Sequence, residues 1–402
     1  MKILMVNKFL YPNGGSETYI FRTGEELVKM GHEVQYFGME HAGRIVGNRA
    51  ESYTSDMDFH GKGAGKLLYP FRIIYSLEAR RKIRPVLEDF EPDVVHLNNF
   101  NFQLTPSVIY EIRRFERKRR KRVRIIYTAH DYQLVCPNHL LLRPLEYELC
   151  DRCVKGSALA CIGGRCIHGS LIKSVLGSLE GCLYRGLHTY RKLDCIICPS
   201  QFMAERLSAS PDLTDRLVVM HNFVDRPSGY QGQKGGYVLY FGRYCREKGV
   251  GTLLEVCRRL SDIPFVFAGG GPLECEVEAV GNITNRGFLS GEELAQVISG
   301  AAFSVFPSEW YENCPFSVME SQICGTPVLA SDLGGTRELI DSGNSGELFR
   351  AGDGEELAEK IGKLWNDIKL CERYAQGCER AQERFDSVKE YCGKLLEVYR
   401  DA

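Results

Sequence analysis

The chain has 402 residues, 51 Lys and Arg against 52 Asp and Glu, and a formal net charge of −1; 44% of it is hydrophobic and 26% charged. That length allows two or three domains, and a charge near zero gives no global field toward nucleic acid. No apolar run approaches the ~20 residues of a membrane span, and the apolar start of the chain stops at Asn7-Lys8, so the sixteen cysteines are expected in a reducing cytoplasm.

Residues 2–6 predict a strand, 7–15 a loop, 16–30 a helix with Ile20, Phe21, Leu27 and Val28 on its apolar side, and 33–37 a second strand. This β-loop-α-β opening predicts a parallel sheet. Gly14 and Gly15 sit where backbone approaches a ligand closely, but they do not form a G-x-G-x-x-G, so a dinucleotide cofactor is not indicated. Residues 41–65 are polar, and their Asp56-Met57-Asp58 reads as a solvated loop. The next strand, 93–97, ends in His96-Leu97-Asn98-Asn99, polar groups at a strand C-terminus suited to acceptor contacts.

Residues 113–124 hold nine basic residues and one acid, Glu116, at the end of a helix beginning near Ser107. Two readings stand: a solvated helix end favoured by the dipole, or attachment to an anionic membrane at ~1 kcal/mol per basic residue. A strand over 124–128 delivers His130-Asp131 at its tip. Cys136, Cys150, Cys153, Cys161 and Cys166 follow. Cys150-x2-Cys153 suits a zinc knuckle and Cys161-x4-Cys166 is a looser second pair for a structural zinc, with Cys136 as a further donor and His139 and His168 nearby; free thiols are the even alternative, and an all-thiolate site leaves no open position for catalysis. A strand over 193–198 precedes Ser200, the expected cap of a helix over 201–207. Residues 226–236 read as a linker.

The second half repeats the pattern. A strand over 237–241 leads to Gly242-Arg243 and Lys248-Gly249, then a helix over 250–260. Arg243-x4-Lys248 places two cations past a strand tip and beside a helix N-terminus, an arrangement suited to a diphosphate. A strand over 265–268 meets the close-approach turn Gly269-Gly270-Gly271, and a strand over 283–288 is followed by Ser290 as the cap of a helix over 292–298. In residues 309–335, Glu312 falls on a loop, Pro315 at a helix start, and Glu320 in the first turns. Two carboxylates beside free helix N–H groups suit a hydroxyl-rich, anionic ligand. A short buried strand, 326–330, and a helix over 336–340 come next, and a last helix spans 388–399.

E-x7-E followed by Cys324-Gly325-Thr326-Pro327-Val328 and Ser331-Asp332-Leu333-Gly334-Gly335 resembles the retaining family-4 glycosyltransferases of the GT-B fold. The resemblance implies an α/β chain of two doubly wound, Rossmann-like domains facing each other across a cleft. Residues 1–225 would bind the acceptor and 226–385 the nucleotide-sugar, with 386–402 a helix packing back on the first domain. It gives Glu312 the donor sugar, Glu320 the ribose, Arg243 and Lys248 the diphosphate, and His130 the sugar from the other side. Arg243, Lys248, Glu312 and His130 are thus the expected catalytic residues. Gly14, Gly15, Gly242, Gly270, Phe288, Asn313, Cys314, Pro315, Phe316, Ser317 and Glu320 are the expected nucleotide-sugar contacts. Two departures stand out: Asn313-Cys314-Pro315 replaces the glycines many members carry after the first glutamate, and Phe223 replaces the glycine of their N-G-V-D turn. The implied activity is retaining transfer from a UDP- or GDP-sugar to a glycan or lipid-linked glycan in cell-surface polysaccharide assembly. It needs no catalytic metal and no nucleic acid, and takes place in the cytoplasm or at the inner face of the membrane. The alternatives are a GT-B sugar-nucleotide epimerase and a non-catalytic nucleotide-sugar-binding protein.

Overall fold

Uninterrupted apolar runs make the central strands. Ile3, Leu4, Met5 and Val6 are all fully buried, and so are Ile125, Ile126 and Tyr127, as expected of parallel strands covered on both faces. A computed structural model describes residues 1–55, 69–227 and 235–401, and the chain divides into two units, Met1–Met220 with Val388–Ala402, and His221–Ser387. Asp56-Met57-Asp58 and residues 228–234 of the expected linker lie outside the described residues.

The first unit holds β1 (Lys2–Val6), β2 (Glu33–Phe37), β3 (Val94–Leu97), β4 (Arg124–Thr128), a hairpin of β5 (Leu142–Arg143) and β6 (Glu148–Leu149), β7 (Cys195–Cys198) and β8 (Leu217–Val219). Six of these form one parallel sheet in the order β2-β1-β3-β4-β7-β8. Ser200 Oγ accepts from Met203 N at 3.1 Å, so it does cap helix Gln201–Ser208. Helices Leu77–Phe90 and Leu171–Gly186 were not foreseen. Each starts with a serine cap, Ser76 and Ser170. The last helix, Val388–Asp401, belongs to this unit and buries Tyr391, Leu395, Leu396 and Tyr399. Its two tyrosines reach the sheet layer: Tyr391 OH lies 3.0 Å from Tyr19 OH, and Tyr399 OH 2.6 Å from His96 Nδ1.

The second unit holds β9 (Val238–Arg243), β10 (Phe265–Gly270), β11 (Ile283–Asn285), β12 (Phe303–Phe306), β13 (Val328–Ser331) and β14 (Gly346–Phe349), all parallel in the order β11-β10-β9-β12-β13-β14. Its core packs Val238, Leu253, Phe265, Phe267, Phe303, Leu329, Leu357 and Ile361 between sheet and helices. Three expectations shift. The strand over 283–288 stops at Asn285, whose Oδ1 accepts from Gly287 N and Tyr244 OH, both at 3.0 Å, and turns the chain. Ser290 precedes helix Gly291–Gly300 without a side-chain cap bond. Residues 336–340 form no helix of their own; a single 3₁₀ turn, Gly334–Glu338, stands there.

Candidate active site

In the second sheet the chain runs outward from β9 through β10 to β11, then returns to the other side of β9 with β12. Ligands of such sheets bind beyond the carboxyl ends of the strands where the order reverses. The residues past the tips of β9 and β12 are Arg243 to Lys248 and Ser308 to Glu312. Gly249 makes their approach possible. It has φ +69°, and a Cβ there would stand 1.8 Å from the Pro307 carbonyl oxygen, so only glycine lets the Lys248 turn close against the end of β12.

Glu312 is 7% exposed. Its Oε1 accepts from Lys248 Nζ at 2.5 Å, Trp310 Nε1 at 2.6 Å and Ser308 Oγ at 2.9 Å. The Lys248 ammonium also lies 5.4 Å from the centre of the Trp310 ring. Behind the carboxylate, the Glu312 carbonyl accepts from Gly335 N at 2.8 Å. Gly334, at φ +62°, allows this contact, since a Cβ there would meet that carbonyl oxygen at 2.5 Å. Arg243 is different: it is exposed, and its guanidinium forms no hydrogen bond or ion pair among the described residues. The Tyr240 hydroxyl, donating to the Arg243 carbonyl at 2.8 Å, fixes its backbone. One expected diphosphate cation is therefore open, and the other is already matched by Glu312.

The remaining expected contacts of this unit divide by burial. Gly270 pairs with Arg243 in the β9–β10 register, and its carbonyl accepts from Tyr244 N at 2.8 Å. Gly242, also on the β9 tip, has φ +144°. Phe288 is 84% exposed, an aromatic face in water just past β11. Pro315 caps helix Phe316–Ile323 with Phe316 and Ser317 in its first turn, and Glu320 is half-buried one turn further on. Asn313 stands between Glu312 and this helix. The Cys314 side chain faces inward. It is buried, its Sγ accepts from Asn222 N at 3.2 Å, and burial pushes the thiol up to about 12. Its carbonyl accepts from Asn222 Nδ2 at 2.8 Å, so Cys314 organises the loop through the core rather than through a thiol at the ligand. Trp310 and Ser308 were not picked out from the sequence, and Asn222 only as the asparagine of the turn that resembles N-G-V-D. Trp310 carried a signal, being one of only two tryptophans and two residues from Glu312.

In the first unit, polar groups gather past β1, β3 and β4. Gly14 and Gly15 open helix Gly15–Lys29; Gly14 is extended, with φ −178°. Glu17, 2% exposed, accepts from Asn7 Nδ2 at 2.8 Å and Ser16 Oγ at 2.9 Å. His130 Nε2 lies 2.8 Å from Asn98 Oδ1, and the ring stands edge-on to Tyr19 at 5.0 Å. Burial holds the imidazole down to about 4, so His130 is neutral near pH 7 and serves as a hydrogen-bonding group. Burial also lowers Lys8, against the pull of Asp131 and Glu17. Asp131 is pushed up by burial, but His139 and Lys8 outweigh that and leave it low. Asn7, Lys8 and Glu17 were missed, and His139 stood out only as a neighbour of the cysteine cluster. Only Glu17, an acid two residues past a Gly-Gly pair, offered a sequence cue.

Cys136, Cys150, Cys153, Cys161 and Cys166 line one small cavity. Among the described residues, no three His, Cys, Asp or Glu side chains are placed to hold a metal ion. The basic run is largely answered within its own unit. Carboxylates of Glu88, Glu91, Asp93, Glu111, Glu116 and Asp194 pair with Arg113, Arg114, Lys118, Arg119, Lys121 and Arg122. About three of the nine, Arg117, Arg120 and Arg124, form no ion pair among the described residues. Among the described residues, no helix is long and apolar enough to cross a membrane.

Residues 13–157 match the family model described as Glycosyltransferase Family 4, and residues 235–367 the model described as Glycosyl transferases group 1. The two together take in well over half of the chain. The chain is 30% identical over 175 residues to the alpha-D-kanosaminyltransferase of Streptomyces kanamyceticus, covering 41% of this chain and 45% of that protein. To the O-antigen chain mannosyltransferase C of Escherichia coli it is 28% identical, over 40% of this chain and 46% of the other. The chain thus spans less than half the length of both. It is also 22% identical to a 42.6 kDa protein of the cps region of Klebsiella pneumoniae, over 84% of this chain and 87% of that one. Among solved structures it resembles sucrose-phosphate synthase from Thermosynechococcus elongatus, with a TM-score of 0.69, 16% identity, and 99% and 98% of the two chains covered. Anabaena HepE in complex with UDP gives 0.67 at 15% identity, over 100% of both chains. These likenesses show the fold, GT-B.

Proposed function

The chain belongs to the family-4 glycosyltransferases, and we propose that it moves a sugar from a nucleoside-diphosphate sugar to a glycan or lipid-linked acceptor, with retention of anomeric configuration. The observation that carries this reading is the Lys248–Glu312 pair beside the open Arg243, at the point where the second sheet reverses its strand order. Arg243 would meet the negative charge growing on the departing diphosphate, which is electrostatic stabilisation by a group already in place. Lys248 supports the same charge while positioning Glu312, whose Oε2 takes none of the three bonds made to Oε1 and is left for a sugar hydroxyl. Glu320, past the helix start, would hold the ribose, and the exposed Phe288 would stack on the base. A neutral His130 would give the sugar a hydrogen bond without adding charge. The leaving phosphate can take the acceptor's proton, so the reading needs no separate base.

The acceptor side is proposed to work against an anionic membrane in cell-surface polysaccharide assembly. About three uncompensated basic charges offer ~3 kcal/mol of attraction, less than the bare run suggests. Ile172, Leu179, Leu183 and Leu187, exposed along one face of helix Leu171–Gly186 and its C-cap, add apolar area. The experiment is transfer from labelled UDP- and GDP-sugars with and without a lipid-linked acceptor pool, preceded by a thermal-shift screen of the same donors. Specific binding raises stability by RT ln(1 + [L]/Kd), so the correct nucleotide should stand apart. Donor consumption that is indifferent to every acceptor, or no stabilisation by any nucleotide, overturns the reading.

A further inference from the structure

Behind His130, four elements of the first unit meet through a continuous line of buried polar groups. Tyr19 comes from helix Gly15–Lys29, His96 from β3, Thr128 from the last position of β4, and Tyr391 and Tyr399 from the last helix, Val388–Asp401. Tyr391, Leu395 and Tyr399 recur at a spacing of four and share that helix's buried face. Tyr19, His96 and Thr128 have no exposed surface, and the other two tyrosines are 1% exposed. The Tyr399 hydroxyl lies 2.6 Å from His96 Nδ1, and His96 Nε2 lies 2.7 Å from Thr128 Oγ1. Thr128 Oγ1 lies 3.2 Å from the Tyr19 hydroxyl, which lies 3.0 Å from that of Tyr391. Burial holds the His96 ring down to about 3, so it is neutral, with one donor and one acceptor nitrogen, and the bonds can all point one way along the line. The line reaches His130 at three points. The Tyr19 ring stands edge-on to the His130 ring at 5.0 Å. His130 N donates to the Thr128 carbonyl at 3.1 Å. The His96 carbonyl accepts from Asn98 Nδ2 at 3.3 Å, which turns Asn98 Oδ1 toward His130 Nε2, 2.8 Å away. An amide oxygen only accepts, so Nε2 carries the proton of the neutral His130 ring and Nδ1 is its acceptor.

We propose that Tyr399, His96, Thr128, Tyr19 and Tyr391 are positioning residues for His130, and that the last helix, with which the chain returns from the second unit, thereby fixes the orientation and tautomer of the histidine that meets the donor sugar. The inference rests on the role proposed above for His130. Phenylalanine would fill the space of either tyrosine of the last helix, so the hydroxyls are there for more than volume. A buried polar network with its bonds made holds one arrangement, where apolar packing alone tolerates several. Removing the Tyr399 hydroxyl leaves a buried His96 nitrogen short of its partner, and removing that of Tyr391 does the same to Tyr19. His96 and Tyr19 then shift to find new bonds, and the Asn98 amide and the ring edge that seat His130 shift with them. The effect on rate is amplified, because a misplacement of about 1 Å at a reacting centre can cost on the order of 10²-fold.

The test is donor turnover by full-length Tyr391→Phe, Tyr399→Phe and Tyr184→Phe, each alone and combined with His130→Ala. Tyr184 is the control: its buried hydroxyl donates to the Ile74 carbonyl at 2.5 Å, in the same unit but outside this line. Tyr391→Phe and Tyr399→Phe should each lower kcat on the order of tenfold with the donor KM within about twofold, and Tyr184→Phe should change neither. In the His130→Ala background the two should cost nothing further, since a positioning residue acts only through the group it positions. Nitrogen-15 spectra of labelled imidazoles give a readout independent of turnover. The His130 signals, identified by their loss in His130→Ala, should show the proton on Nε2 in the wild type and in Tyr184→Phe, and both tautomers in Tyr399→Phe. A wild-type ring protonated at Nδ1 overturns the proposal without any variant. So do equal losses in Tyr184→Phe, or losses that multiply with that of His130→Ala, which mark a general loosening of the core. Full activity in His130→Ala removes the reading of His130 and this inference with it, whereas a defective His130→Ala beside unaffected tyrosine variants removes this inference alone.

Discussion

Replacing Lys248 by methionine removes an ammonium and keeps most of its stem, and the structure sets the size of the effect. Glu312 has a side chain 9% exposed and, without Lys248, retains only Trp310 and Ser308 as donors. Stripping one partner from a buried ion pair costs roughly 3–5 kcal/mol. The Lys248 end is 25% exposed, so water reaches the gap and the expected cost falls to about 2–4 kcal/mol. At roughly 2–4 °C per kcal/mol, the unfolding transition of the second unit should drop by about 4–16 °C. Glu312→Gln keeps the Trp310 and Ser308 bonds and frees Lys248 toward solvent, so it should cost only about 1–2 kcal/mol. The double variant should be less damaged than the sum of the two by about 1–3 kcal/mol. Arg243→Ala is the control. It removes an exposed guanidinium without an ion pair among the described residues, so stability should stay within about 0.5 kcal/mol while kcat falls about 10²–10³-fold. Guanidinium titrations of each variant, with donor turnover measured well below every transition, separate folding from chemistry. Strict additivity of Lys248→Met and Glu312→Gln, or an unchanged transition in Lys248→Met, refutes the reasoning.

Glu320→Ala should raise the donor KM more than it lowers kcat, because the ribose contacts proposed for it would be the same before and during reaction; a pure kcat defect in steady-state kinetics would contradict it. Gly249→Ala should leave the second unit unfolded or badly destabilised, since φ +69° and a 1.8 Å approach to the Pro307 carbonyl oxygen admit no side chain, while Gly251→Ala, which meets nothing within 4 Å, should be neutral by circular dichroism melting. Burial raises Glu180 to about 8, against the pull of Arg185. Its folded form therefore keeps a proton that the unfolded chain releases near pH 4–5, so its contribution is whole below that range and is lost as pH rises through 8. Glu180→Gln should flatten the decline in Tm between pH 6 and 9, and an unchanged slope would remove Glu180 as its cause. Sedimentation with anionic vesicles, released by high salt and weakened by Leu179→Ser with Leu183→Ser, checks the membrane contact; equal binding to neutral vesicles excludes the basic run from it.

Much of this was legible because strand, turn and glycine signals are local. Continuous apolar runs such as Ile3-Leu4-Met5-Val6 mark two-sided strands, and Ser200 announces the helix it caps. What stayed hidden depends on neighbours far along the chain. Arg113 to Arg122 read as a free positive face until Glu88, Glu91, Asp93 and Asp194 arrive from outside that helix. Cys314 read as a sugar contact because it follows Glu312, yet Asn222, 92 residues earlier, holds its sulfur in the core. Arg243-x4-Lys248 and E-x7-E read as two motifs with separate duties, one for phosphate and one for sugar. The sheet joins them. β12 returns to the flank of β9, so residues 64 apart in sequence meet in one ion pair. A lysine matched by a glutamate cannot be counted as a free phosphate-binding charge, and the glutamate cannot be moved without moving the lysine. In the proposed reading, donor sugar and diphosphate would then be sensed by one coupled pair, and Arg243, which has no ion pair among the described residues, would add charge that Glu312 has not already answered.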